Sequence, residues 1–329
     1  MAILGQKGSA TGIPNICFLQ TGTWTPDANF EAYVYCIGAG GSGAVVMRNT
    51  DYSATGGSAG GCVVSQLTLV KDVEYSFTVG AGGASRDSIT SQSAGNAGTA
   101  SSFSGSGITT MNAGGGAAGA IHSSGGGVGG DGGTASGGNI GNYVGGKGGT
   151  TSGTKTCTGG GAVGLWQTGI TPTEVSASER GSVMGGSLSG FARSTTAAGG
   201  DLNLANNKEP LPIAVSPFPD IFTWKQDDVF ANLSSTDKFD APFVMNSGVQ
   251  AIGPFSAGAL QWGSDNAGNP IASPFVGGNG YASQNANILG SQGCLGSGSG
   301  GLLSTFGSST GTTGTGGDGA ILIFATSMG

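Results

Sequence analysis

The chain is read first as short runs of strand-favouring residues that stop abruptly at glycine. Tyr33-Val34-Tyr35-Cys36-Ile37 is rich in aromatic and β-branched residues and runs into Gly38-Ala39-Gly40-Gly41. Glu74-Tyr75-Ser76-Phe77-Thr78-Val79 runs into Gly80-Ala81-Gly82-Gly83 in the same manner, and Cys62 to Val70 reads as a strand between them. Ile16-Cys17-Phe18-Leu19 follows a turn at Ile13-Pro14-Asn15 and either docks on a partner or starts a strand. Near the end, Gly316-Gly317-Asp318-Gly319 leads into an apolar run, Ala320 to Thr326, expected to close the sheet that the first strand opens.

Between Gly80 and Gly164 the pattern changes to glycine interleaved with Ser, Thr, Ala and Asn. Glycine recurs at intervals of three, as in Gly126 to Gly133 and its echo Gly145 to Gly149, and three is the residue count per turn of polyproline II. Rods of that kind carry no internal hydrogen bonds, but bare glycine surfaces let them approach and bond to one another, which satisfies the buried backbone. The alternative is a flexible Gly/Ser linker. Packed rods are the expectation, because the flanking strands offer an edge to dock on.

Composition sharpens this. Glycine supplies 70 of 329 residues, against about 7% in ordinary proteins. Collagen is excluded, because only 11 prolines are present and glycine is not at every third place throughout. Simple disorder is disfavoured by 37% hydrophobic and only 9% charged residues. From Asp201 to Ser247 glycine disappears, and Phe218, Phe222, Trp224, Phe230, Phe239 and Phe243 stand beside four closely spaced prolines and the acids Asp220, Asp227, Asp228, Asp237 and Asp240. The chain therefore divides into an N-terminal segment (1–19), a glycine-rich β domain (20–164), an inserted aromatic and acidic lobe (165–262), and a glycine-rich return with the closing strand (263–329).

Lys and Arg are missing between Arg86 and Lys147 and after Lys238, so neither stretch can supply a phosphate surface, and the net charge of −7 argues against nucleic acid and anionic membranes as partners. No run approaches the roughly 18 apolar residues of a membrane span, and MAILGQKG lacks a signal-peptide core, so a soluble protein without membrane insertion is expected. Five cysteines without a C-x-x-C pair suggest neither a disulfide framework nor a zinc site, and buried thiols are expected.

Two catalytic motifs match and are discounted. Gly38-x-Gly40-x-x-Gly43 follows a strand but opens no helix for a pyrophosphate, and Gly56-Gly57-Ser58-Ala59-Gly60 fits the hydrolase elbow but sits before a strand. In a chain this rich in glycine such matches arise by chance. The single histidine, His122, lies in the glycine-rich part, where it is read as a surface or rod position without a catalytic partner. Asp227 and Asp228 are adjacent and in a strand would point to opposite faces, so a glycosidase pair is not expected; a solvated acidic face is preferred to a calcium site. No catalytic residue, metal or cofactor is expected.

Aromatic residues interleaved with Asp and Asn suit a sugar or protein surface, because a flat ring stacks on a sugar while carboxylates take its hydroxyls. Candidate contacts are Trp166, Phe222, Trp224, Phe230 and Trp262, with Asp227 and Asp228 as polar partners. For most aromatics of the lobe, a place in its own small core is the preferred reading.

The ordered succession TGTWTPDANFEAYVYCIGAGGSG, GGSAGGCVVSQLTLVKDVEYSFTVGAGGAS, GNAGTASSF and GGDGAILIF resembles the glycine-rich domain at the ends of bacteriophage tail fibres, over residues 20–164 and about 300–326. The resemblance implies an all-β fold, a jelly-roll-like sandwich with glycine-rich polyglycine II segments, here with a glycine-free insertion. It also implies a virion protein on the phage tail or fibre, acting as a receptor-binding adhesin for the bacterial host surface, often as a homotrimer. Its partners would be other virion proteins and a bacterial surface glycan or outer-membrane protein. The chain departs from the family in its large insertion and short N-terminal stretch. Rival readings are a head-decoration or fibre-capping protein, an ice-binding protein using Thr150 to Thr158 and Thr310 to Thr315 as flat faces, and a glycan-depolymerising enzyme, for which no carboxylate pair is visible.

Overall fold

The computed structural model describes residues 15–47, 51–88, 92–123, 125–165, 168–169, 171–172, 174–176, 181–183, 277–278, 280–283, 288–290, 292–293, 295–304 and 310–328. These residues are all-β, without a helix. Two five-stranded antiparallel sheets face each other at one end. The first runs in the order Asn15–Phe18, Ala320–Met328, Phe30–Ile37, Cys62–Leu69, Gly141–Tyr143. The second runs Ala135–Ser136, Met111–Ala113, Ser101–Gly105, Tyr75–Thr78, Gly22–Trp24.

Alternation places Phe30, Ala32, Val34 and Cys36 on the inner face of the first sheet, against Tyr75, Phe77, Phe103 and Met111 from the second. Phe18 stacks on Phe77 with ring centroids 4.2 Å apart, and Tyr75 on Phe103 at 5.6 Å. The hydroxyl of buried Tyr75 accepts the Val70 N–H at 3.0 Å, which satisfies its polar end. The outer face of the first sheet carries Tyr35, Ile37, Cys62, Val64 and Leu322, covered by Val163 and Leu165. The run at Ile16 to Phe18 belongs to a strand, and the closing strand lies between it and Phe30–Ile37.

Eight strands of the sandwich, all but Asn15–Phe18 and Gly22–Trp24, pass into or receive a glycine-rich segment without an intervening turn. Segment 38–44 shows how these rods bond. Gly38, Gly41 and Ala44 donate to the carbonyls of Gly61, Ser58 and Thr55; Ala39 and Ser42 donate to Thr99 and Asn96; Gly40 donates to Gly317. Its own carbonyls receive N–H groups from Gly83, Gly116, Gly119, Ser299 and Leu302. Residues three apart thus reach the same neighbour, the signature of three residues per turn. Segment 38–44 is enclosed by six neighbours: 55–61, 79–86, 94–100, 114–120, 295–301 and 313–319. Segment 55–61 is a second centre, bonded to 38–44, 114–120, 129–134, 144–149, 159–165 and 295–301. The two glycine runs that echo each other in sequence are antiparallel neighbours, with Gly129 donating to Gly149 at 2.6 Å and Gly145 to Gly133 at 3.0 Å.

Glycine is required because the rods touch through their backbones. A Cβ on Gly40 would lie 2.0 Å from the Ser297 carbonyl oxygen, and one on Gly57 2.0 Å from that of Gly41. Buried hydroxyls substitute for carbonyls where a donor has none: Ser299 Oγ accepts the Gly43 N–H at 2.8 Å, and Thr158 Oγ1 accepts the Gly56 N–H at 2.9 Å.

At the far ends of the rods the chain forms short strands, among them Val45–Met47, Tyr52–Ala54, Ile121–Ser123, Thr156–Thr158 and Leu302–Ser304. Small apolar clusters, Ala44, Val46, Ala54, Cys157 and Leu303 on one side and Val45, Met47 and Leu302 on the other, cap the bundle there. The chain therefore shuttles between sandwich and cap, and Asn15 and Met328 both lie at the sandwich end. Glu174–Ser176 pairs with Thr156–Thr158, and Gly181–Val183 pairs with Gly280–Ser283, so described parts of 165–262 join the cap.

Candidate functional site

The candidate contacts Trp166, Phe222, Trp224, Asp227, Asp228, Phe230 and Trp262 lie outside the described residues. What the structure brings together is a scaffold and its surfaces. Gly38, Gly40 and Gly43 belong to the central rod, whose neighbours occupy the space where a pyrophosphate would sit. Ser58 is fully buried, donates to the Gly130 carbonyl at 2.5 Å and accepts the Gly148 N–H at 3.1 Å. It is a link between rods and has no histidine beside it. His122 stands on the strand Ile121–Ser123, opposite Ser53, instead of in a rod. Its ring covers Gly127, where an added Cβ would lie 2.1 Å from Nδ1, and its Nε2 is buried without a hydrogen-bond partner. Among the described residues no group of three or more His, Cys, Asp or Glu is placed to hold a metal ion.

The four described cysteines are thiols, with Cys36, Cys62 and Cys157 buried and Cys17 half-buried. Burial pushes the Cys36 thiol up to about 12, opposed only by a hydrogen bond with the Ala113 backbone, and burial raises Cys62 well above its usual range. A raised folded value means that the folded state keeps protons the unfolded state releases. This contribution to stability is full below the ordinary thiol range, about 8.5, and is lost as pH rises through it towards the folded value. Folded protein at pH 9 is accordingly expected to leave Cys36 and Cys62 unalkylated by iodoacetamide while denatured protein reacts at both; rapid labelling of the folded state in mass spectrometry would refute the burial.

Charge is sparse on the described surface. The one ion pair between described residues joins Lys147 Nζ to Asp131 Oδ1 at 2.8 Å across rods 129–134 and 144–149. The hydrogen bond and charge of Lys147 lower the Asp131 carboxyl, but both groups are exposed and the pair contributes little.

The outer face of the second sheet was not singled out by motif or composition. Register aligns Ser136, Asn112, Ser102 and Thr78 in one row, and Ser104, Ser76 and Thr23 in the next. Neighbours within a row are about 4.8 Å apart in the hydrogen-bonding direction. The face is half-exposed to exposed, uncharged, and made of hydroxyls and one amide. Its signal in the sequence is the alternation Tyr75-Ser76-Phe77-Thr78 and Ser102-Phe103-Ser104, but only pairing assembles the rows. The threonine runs read as flat faces are arranged differently. Thr151, Thr156, Thr158 and Thr313 are buried, and Thr151 Oγ1 meets Ser53 Oγ at 2.9 Å while Thr313 Oγ1 accepts the Arg86 N–H at 2.8 Å.

The profile of a family described as a glycine-rich domain matches residues 18–210, more than half of the chain. The chain belongs to this glycine-rich domain family. The match begins at Phe18, the last residue of the first strand, and spans the sandwich strands from Gly22 to Tyr143 and the rods from 38 to 165. Within the matched span of this glycine-rich domain, Gly38, Gly40, Gly41, Gly57, Gly60 and Gly61 are rod contacts, and the final strand Ala320–Met328, beyond the match, completes the first sheet. No curated protein matches the chain.

Proposed function

We propose that the protein is a non-enzymatic virion component of a bacterial virus, a tail-fibre or receptor-binding adhesin that meets the host surface. The observation that carries this reading is the polarity of the scaffold. Asn15 and Met328 both stand at the sandwich end, and the rods lead to a cap at the other. A lattice bonded backbone to backbone resists local opening and holds its surfaces in a constant geometry. The uncharged hydroxyl face of the second sheet suits the hydroxyls of a bacterial surface glycan, and the ordered likeness to tail-fibre domains favours a fibre over a head-decoration or fibre-capping role. The ice-binding alternative has less support, because Thr151, Thr156, Thr158 and Thr313 of the runs that suggested it are buried and interrupt any continuous threonine face.

Partners on this reading are other virion proteins and a surface glycan or outer-membrane protein, with a homotrimer as the assembled form. Purified full-length protein is expected to bind cells of the host saturably and to block adsorption of the virus. Trp224→Ala with Phe230→Ala is expected to keep the folded state and to weaken cell binding at least tenfold. Unchanged binding by that variant would move the contact away from the aromatic lobe. Absence of binding by folded wild-type protein would overturn the adhesin reading and favour a structural role on the particle.

A further inference from the structure

We propose that the rod bundle is a load-bearing element, built to carry tension along the rod axis between the sandwich end and the opposite cap. The bonding pattern carries this independently of the adhesin reading. Strand Cys62–Leu69 continues directly from segment 55–61, so a pull on the sandwich end passes straight into a rod. That rod is held by bonds to six neighbours, all between backbones or buried hydroxyls and spread along its length. Bonds between parallel rods run across the axis, as they do between paired strands. An axial pull therefore loads the bonds of a rod together, and none yields before the rest. Force applied between two points at the same end is different, because it opens bonds one after another from that end.

The first and last described strands illustrate the weak direction. Asn15 pairs with Phe324 and Phe18 with Ile321, so these strands are antiparallel neighbours whose outer ends lie together. Pulling Asn15 away from Met328 peels these strands apart. Tension carried between the sandwich and the cap meets the whole width of the lattice.

Single-molecule pulling on the full chain tests this. With Cys17→Ser removing the half-buried native thiol and Cys294→Ser the one outside the described residues, handles are attached through Val70→Cys and Val128→Cys. Val70 is 43% exposed at a turn of the sandwich end, and Val128 is 59% exposed at the cap end. The axial pair, Val70→Cys with Val128→Cys, is compared with the same-end pair, Val70→Cys with a C-terminal handle. Axial rupture is expected at a force several-fold above that of same-end rupture. Ser58→Ala, which removes one buried link between rods while leaving the sandwich untouched, is expected to lower the axial force and leave the same-end force unchanged. Axial forces equal to or below the same-end forces, or an axial force insensitive to Ser58→Ala, overturn the proposal. Cell binding is read separately, so failure of either proposal is distinguishable from failure of the other.

Discussion

Gly40→Ala is expected to destabilise the protein by about 3 kcal/mol or more, at the severe end for a single methyl group. The new carbon would lie 2.0 Å from the Ser297 carbonyl oxygen and 2.2 Å from its carbonyl carbon. An overpacked side chain can rotate away, but here the obstacle is backbone. Segment 295–301 would have to move, and with it the bonds from Ser299 to Gly41 and from Gly57 to Ser299. The displaced Gly40 would also strain its own bond to Gly317 and the one it receives from Gly83. Gly153→Ala is the control, since nothing lies within 4 Å of the added carbon. It should change stability by no more than about 0.5 kcal/mol. Equilibrium denaturation of the two variants beside wild type checks the pair. Equal stability of Gly40→Ala and wild type would refute the close packing of the central rod.

A chain ending at Gly319 is expected to lose cooperative folding. The missing strand lies inside the first sheet, and its residues feed both sides: Ile321 and Ile323 enter the core between the sheets, while Leu322 and Phe324 fill the outer face. Without it Asn15–Phe18 has no partner, and Phe30–Ile37 becomes an exposed edge with its ladder open on one side. Four buried apolar side chains, at about 1.5–3 kcal/mol each, approach or exceed the whole stability of an ordinary domain. Thermal unfolding followed by circular dichroism should show no sharp transition for the truncated chain. A retained cooperative melt near that of wild type would mean that rods and cap fold without the sheet.

Much of this architecture is legible along the chain. The apolar runs at 33–37, 62–70, 74–79 and 320–326 are strands at Phe30–Ile37, Cys62–Leu69, Tyr75–Thr78 and Ala320–Met328. Period-three glycine in 80–164 is read as rods, and rods are present there. The short clusters at 38–44, 55–61 and 313–319 read only as places where strands stop or start, yet they are rods of the same bundle, and the first two are its centres. The difference is physical. A glycine cluster of seven residues has the same composition whether it forms a turn, a linker or a lattice rod, and only neighbours on all sides stabilise the last.

The candidate surfaces divide in the same way. The aromatic residues of the lobe stand out because glycine is missing around them. The hydroxyl rows of the second sheet do not, because each strand contributes one or two small polar residues that look ordinary until pairing lines them up. His122 reads as part of a low-complexity run, whereas it pairs in register with Ser53, a residue far from it in sequence.

By itself, then, the sequence determined the β class, the strands of the sandwich and the use of glycine in threes, because alternation and period three are local properties of a backbone. Tertiary structure alone decided which rod lies against which, that segments 38–44 and 55–61 stand at the centre, and that Ser58 and Thr158 are links in a lattice instead of surface hydroxyls. Those choices depend on where distant carbonyls meet N–H groups. Glycine permits every such approach equally, so the selection falls to the apolar strands at the two ends, which set the register of the rods between them.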